Sequence, residues 1–272
     1  MPWRTHILLR HVSTALAVAV ASAFLLLVRS GESQTSAPAL RQPVLVELFT
    51  SEGCSDCPPA DALLAQLAQK QFVPGAQAIV LSELVTYWNH QGWSDPFSFD
   101  AIDVRQQNYA QQFGLGSVYT PQMVIDGAAE FVGSDGAKLN RAVAHAAATP
   151  KLALNIADAH RTVDDSVVFS VRAAIRAEAT LVAALAENAT RSEVARGENA
   201  GRTLHHVAVV RVLKDFGSGA ADGRPLQLSG AGLSAAEKDG EPLRLVVFLV
   251  NRSSGHGEHN YSMLHGFPPR AN

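Results

Sequence analysis

The sequence predicts an α/β domain followed by an all-β, sandwich-like domain, both behind an N-terminal leader. Three observations carry this expectation. The ordered part opens as strand, Cys-x-x-Cys, helix, strand. After Pro150 the texture changes to recurrent short apolar runs punctuated by Gly, Asp and Asn. Residues 1–39 read as an export segment. The expected layout is a signal peptide and linker over 1–39, the α/β domain over 40–149, and a β-rich domain with an irregular tail over 150–272.

In the leader, Arg4 and Arg10 precede an apolar run from Val12 to Val28. That is a basic n-region followed by an h-region, and Ala37 and Ala39 are small residues at the alternation a cleavage site needs. The expected mature chain starts near Leu40 and is periplasmic or secreted, and its N-terminal segment engages the membrane during export. The run is short for a membrane span; retained uncleaved, residues 12–28 would instead anchor the chain in the inner membrane. Removing Arg4, Arg10, Arg29 and Glu32 from 22 basic and 25 acidic residues leaves 19 and 24, a net charge of −5. No basic stripe is present to neutralise phosphates, so nucleic acid is excluded as a partner.

The elements follow in order. PVLVELF, residues 43–49, is an apolar strand that stops at Thr50, Ser51 and Gly53. Ala60 to Gln69 places Leu63, Leu64 and Leu67 on one helical face, with Pro58, Pro59 and Asp61 suited to its first turn. AIVLSEL, residues 78–84, is the second strand. After the aromatic stretch VTYWNHQGWSDPFSFD, residues 103–114 read as a helix in which Tyr109 and Phe113 are four apart. Met123–Ile125 and Ala129–Val132 form a hairpin about Asp126-Gly127. Residues 136–149 form a helix with Leu139, Val143 and Ala146 on its apolar side, ended by Pro150.

Beyond Pro150, KLALNI, DSVVFSVRAAI, ATLVAALAEN, RTLHHVAVVRVLKDF, GRPLQLSGA and EPLRLVVFLV recur at strand spacing. TLVAALAE, residues 180–187, suits helix as readily as strand. The tail from Ser253 is expected to be irregular. RGENAG, residues 196–201, reads as a polar turn in which Glu198 and Asn199 tie down a hairpin by side-chain hydrogen bonds. His205 and His206 point to opposite faces of their strand and cannot serve one site together. His256, His259 and His265 lie in a tail with little to fix a metal geometry.

Both cysteines, Cys54 and Cys57, lie in FTSEGCSDCPPAD. At a helix N-terminus a thiolate is stabilised by main-chain N–H groups and the helix dipole. In such a pair the first cysteine, Cys54, is expected to be exposed and to exchange with a substrate, and Cys57 to resolve the mixed disulfide. The loop is too short for the crosslink to restrict the unfolded chain much. Asp56 between the cysteines, with Glu52 and Asp61 near, disfavours thiolate and points to a more reducing couple. A static disulfide and a thiophilic metal stay open. Zinc lacks enough ligands; Cu(I) held by the two sulfurs with His90 or Met123 is the better metal case.

VYTPQMV adds a second clue. Pro121 stands just before the later hairpin strand. In a thioredoxin-like fold a proline here is cis and faces the cysteine pair, leaving the Thr120 backbone free to pair with an extended peptide. Trp88 and Trp93 either line a substrate groove or are core aromatics, and His90 lies between them.

Together VELFTSEGCSDCPPAD, VYTPQMVIDG with EFVGSD, and RGENAGRTLHHVAVVR resemble a bacterial family known as domain of unknown function 1223, within the thioredoxin-like superfamily. The similarity spans about residues 43–250. It implies a signal peptide, a thioredoxin-like α/β domain with a helical insertion, and a following β-rich domain. Cys54 and Cys57 fall on the family's cysteine pair, Thr120 and Pro121 on its cis-proline position, and Tyr87, Trp88, Gly92, Trp93 and Asp95 on its aromatic insertion. The family's histidine and aspartate ahead of Tyr-Trp are missing: the chain reads SELVTYW there.

Two functions follow. One is a thiol-disulfide oxidoreductase outside the cytoplasm, with Cys54, Cys57, Thr120 and Pro121 at the catalytic site and Trp88, His90 and Trp93 in the groove. It needs no cofactor or metal, and its partner is an external thiol or disulfide, protein or small molecule, because the chain lacks a second cysteine pair. The alternative is a non-catalytic binding or scaffold protein, in one version a Cu(I) carrier.

Overall fold

The computed structural model describes residues 41–164, 166–174, 179–230, 243–251 and 259–266. The expected leader lies outside them. Among the described residues no helix is long and apolar enough to cross a membrane.

The chain opens with β1 (Gln42–Thr50), α1 (Pro58–Lys70) and β2 (Ala76–Leu84). β1 and β2 pair in parallel, Val46 against Val80 and Thr50 against Leu84. Val44, Leu45, Val46, Leu48 and Phe49 are fully buried. A strand buried on both faces has no polar side to alternate with, which is why residues 43–49 read as one apolar run. The crossover helix α1 has Cys57 as N-cap, with prolines in its first positions. It ends at Gln71 in the left-handed region, whose N–H donates to the Leu67 carbonyl.

Next come α2 (Asp100–Phe113), β3 (Gln122–Ile125), β4 (Ala129–Val132) and α3 (Gly136–Ala147). β3 lies antiparallel on the other side of β1 and β4 pairs with β3. α3 is capped by Asp135, whose side chain accepts from the Lys138 N–H, and buries Leu139, Val143 and Ala146, the face its sequence spacing predicts.

The remaining strands are β5 (Asn155–Arg161), β6 (Val167–Arg172), β7 (Ala179–Glu193), β8 (Thr203–Ser218), β9 (Asp222–Leu228), β10 (Leu243–Asn251) and β11 (His259–Gly266). They do not form a separate body. The larger sheet runs β11-β10-β7-β8-β2-β1-β3-β4, and β5-β6-β9 form a second sheet. β2 and β8 meet at one register pair, Ser82 with Val209, supported by the Ser82 hydroxyl donating to the Val207 carbonyl at 2.7 Å. The expected α/β region and β-rich region thus occur in order along the chain but are intermingled through this shared sheet.

β7 shows why. Val182, Ala184 and Ala186 join the core of the cysteine-bearing part. Leu181, Ala183 and Leu185 join a second core with Val167, Phe169, Leu226 and Leu228 of the smaller sheet. Both faces are buried, so the apolar run shows no period. Its ambiguity resolves to strand, held by antiparallel pairing to β8 and β10. The tail is corrected too: part of the segment expected to be irregular from Ser253 is β11, which pairs along the edge of β10.

Candidate functional site

Cys54 and Cys57 are joined by a disulfide in the turn between β1 and α1. The turn closes through Cys54 N–H to the Ser51 carbonyl at 3.2 Å and Cys57 N–H to the Cys54 carbonyl at 3.3 Å. This pair supports a thiol/disulfide redox site, consistent with oxidoreductase chemistry. Two expectations about it change. Pro58 and Pro59 carry no N–H, and those of Ala60 and Asp61 donate to the Cys57 carbonyl at 2.9 and 3.1 Å. The helix start therefore offers a thiolate fewer free donors than the placement alone implied. Nor is Cys54 exposed: it is 1% accessible and Cys57 0%.

Two segments line the turn. The first follows β2. The Trp88 Cβ is 3.1 Å from where a Gly53 side chain would begin. The indole N–H of Trp88 donates to the Thr120 hydroxyl at 2.8 Å, and that of Trp93 donates to Glu52 Oε2 at 2.8 Å. The second is the loop joining β7 to β8. The Asn199 amide, itself fully buried, donates to the Glu52 carbonyl at 2.8 Å and the Cys54 carbonyl at 2.9 Å. Glu198 accepts from the Ser55 N–H at 3.0 Å. Gly197, at φ 83, packs against Trp93, where any side chain would meet its Cβ at 3.3 Å. Asn199 ties its own hairpin as expected, its side-chain oxygen accepting from Arg202 at 3.0 Å, and with Glu198 it also ties that hairpin across the cysteine turn.

Pro121 is buried and its bond to Thr120 is cis, the geometry expected from VYTPQMV. Gly133 shows where the proline sits. A Cβ there would lie 2.8 Å from Leu48, 3.0 Å from the Ala60 Cβ and 3.2 Å from the Pro121 Cβ. Glycine alone lets β4 leave past this point, where Pro121 is drawn up to the first turn of α1. Trp88 and Trp93 are half-buried and both indoles are hydrogen-bonded, whereas His90 between them is exposed. Met123 is fully buried in β3. Among the described residues no group of three or more His, Cys, Asp or Glu is arranged to hold a metal ion.

Glu52 and Asp61, which bracket the two cysteines along the chain, belong to a buried charge cluster that the sequence did not assemble. His206 is buried while His205 is exposed, as strand alternation requires. The His206 ring stands between Glu52 Oε1 at 3.6 Å and Asp61 Oδ1 at 3.4 Å. Asp95 Oδ2 accepts from the Glu52 N–H at 2.9 Å. Burial works against the charge of His206, but Asp61 and Glu52 outweigh it and raise its pKa to about 10. Burial works against Glu52 as well, yet its contacts with His206 and Trp93 hold it below its ordinary value. For Asp95, burial first and the Glu52 charge second push the pKa up to about 7.

These shifts contribute to the pH dependence of folding. An acid raised from 3.8 to about 7 keeps its proton longer when folded, so stability falls as pH rises across that window. A histidine raised from 6.5 to about 10 contributes stability that is complete below 6.5 and lost as pH rises through 10. Glu52, being lowered, contributes above its ordinary value and loses it in stronger acid. The urea midpoint is therefore expected to peak near ~pH 5 and decline toward ~pH 9. A profile flat or rising across that range contradicts the charge assignments.

The sequence profile of the family described as "Protein of unknown function (DUF1223)" matches residues 45–249. Among solved structures, the chain resembles the crystal structure of protein AGR_C_4864 from Agrobacterium tumefaciens. The two share 24% identity and a TM-score of 0.61 over 85% of this chain and 98% of that one, a likeness of fold. No curated protein matches the chain in sequence.

Proposed function

The chain belongs to the DUF1223 family, and from that premise we propose that it is a thiol-disulfide oxidoreductase acting outside the cytoplasm, with a thioredoxin-like arrangement of Cys54, Cys57 and the Thr120–Pro121 bond. The observation that carries this reading is the disulfide itself. It spans three residues at the start of a helix, where a crosslink adds little to stability by restricting the unfolded chain. Exchange is the better reason for it. The export-type leader supports an oxidising compartment in which such a bond persists.

The closed arrangement covers both sulfurs, so substrate reaches them only after the 196–201 loop and the Trp88–Trp93 segment move aside. In this reading residues 40–149 hold the cysteines and residues 150–272 supply their cover. A substrate thiolate then attacks Cys54 Sγ and breaks the Cys54–Cys57 bond, and Cys57 leaves as a thiolate that takes up a proton. A second substrate thiolate attacks the mixed disulfide and releases Cys54. The substrate pair is oxidised to a disulfide and the chain is reduced to a dithiol; the reverse sequence reduces a substrate disulfide. Trp88 and Trp93 edge the groove, with exposed His90 at its rim.

The order of attack is tested by trapping. Cys57→Ser, exposed to a small symmetrical disulfide, is expected to accumulate a mixed disulfide through Cys54 with release of one small thiol, detected by intact mass. Cys54→Ser is expected to lose exchange. Trapping by Cys54→Ser alone would overturn the assignment.

A further inference from the structure

His206 is a buried titratable group that the exchange steps above do not use. It reaches the cysteine site from β8, in the half of the chain that carries no cysteine. Its two partners flank the disulfide on either side. Glu52 lies two residues before Cys54, and its carbonyl shares the Asn199 amide with that of Cys54. Asp61 lies one helical turn after Cys57, with its N–H on the Cys57 carbonyl at 3.1 Å. The imidazole thus spans the segment entering the cysteine turn and the helix leaving it.

The surrounding charges are mostly negative. Glu52 comes from the turn after β1, Asp61 from α1 and Asp95 from the loop after β2; all three are buried. The Phe97 ring meets His206 edge-on at 6.4 Å, and the Arg211 guanidinium of β8 lies over that Phe97 ring at 4.9 Å from its centroid. The imidazole nitrogens face carboxylates. A thiolate formed in this turn would join an acidic group whose balancing cation within it is His206.

We propose that His206 is the counter-charge of the cysteine site, a positioning residue that makes thiolate accessible at Cys57 in spite of the surrounding carboxylates. The inference deepens the oxidoreductase reading and rests on it for its biological meaning. Cys57 leaves or attacks as a thiolate in that exchange, and an opposite charge close by favours the charged form. Asp61 has the contrary effect, because a carboxyl group one turn after Cys57 disfavours a second negative charge there.

The opposed signs give the test. In a Cys54→Ser background Cys57 is a free thiol without any reduction step, and its thiolate absorbance is titrated directly. Adding His206→Gln is expected to raise the titration midpoint by about one pH unit or more, at least a tenfold loss of thiolate at neutral pH. Adding Asp61→Asn is expected to lower it. Far-UV circular dichroism identifies any variant that fails to fold, in which case Glu52→Gln, also expected to lower the midpoint, replaces Asp61→Asn, and His206→Asn replaces His206→Gln. Loss of packing would move both variants the same way. Midpoints that shift together, or do not shift, overturn the proposal. The titration needs no partner, so failure of the native protein to exchange would sink the oxidoreductase reading and leave this result standing by itself.

Discussion

Arg105→Met is expected to destabilise the fold by about 3–5 kcal/mol, because it leaves a buried carboxylate without its cation. Glu47 on β1 and Glu83 on β2 are both fully buried. Arg105 of α2 reaches Glu47 Oε1 at 2.5 Å and Glu83 Oε1 at 3.6 Å. Tyr109, one turn on, donates to Glu47 Oε2 at 2.6 Å. The guanidinium also lies over the Tyr109 and Phe248 rings at 5.1 and 4.9 Å. Burial would raise the Glu47 carboxyl, but Arg105 outweighs it and holds it below its ordinary value. Burial, and then the Glu47 charge, keep Glu83 well above its own. These opposite shifts favour a proton on Glu83 beside an ionised Glu47 paired with Arg105. Glu83→Gln, which exchanges a neutral acid for a neutral amide, is expected to cost under ~1 kcal/mol. Urea unfolding followed by circular dichroism measures both. Arg105→Met within ~0.5 kcal/mol of the parent would mean that Glu47 is neutral or finds water.

Asn199→Ala is expected to speed reduction of the disulfide by about ten- to a hundredfold. The amide makes two hydrogen bonds into the cysteine turn, and losing buried bonds of this kind costs about 1–3 kcal/mol. If the 196–201 loop must lift before a reductant reaches Cys54, that loss favours the open form by the same amount. Glu198→Gln is expected to do much less, since its bond to Ser55 lies in water. Thiol release under a small dithiol, timed against the parent at equal urea stability, is the measurement. An unchanged or slower rate would show that this loop does not limit access.

Local signals carried most of what was legible in the sequence. The apolar run of β1, Pro58 and Pro59 ahead of Leu64 and Leu67, and the Leu139, Val143 and Ala146 face of α3 each encode their element within a few residues. The same holds for Cys54 and Cys57 at a strand-to-helix turn and for the cis bond before Pro121. What was not legible depends on distant contacts. The two regions are joined by the bridge between Ser82 and Val209, by β7 packing into the first core and by Asn199 and His206 reaching the cysteine turn, none of which a local pattern announces. β7 loses its period because both its faces are buried.

The same reason hid the cover and the charge cluster. The Cys54 carbonyl is held by Asn199, which lies 145 residues away in sequence. His206 meets Glu52 and Asp61 through the fold alone. Partial signals existed: three acids lie close to the cysteines in sequence order, and an adjacent histidine pair on a strand must turn one ring inward. Neither could say which ring or which acids meet.

The Cys54–Cys57 bond is expected to exchange with external thiols while the protein stays folded. The direct measurement equilibrates the native protein across a glutathione or dithiol series and quantifies oxidised and reduced forms after acid quenching. The expected result is one reversible two-electron transition, with circular dichroism unchanged throughout. A bond that stays oxidised across the whole series, and opens only when the protein is unfolded, would contradict it.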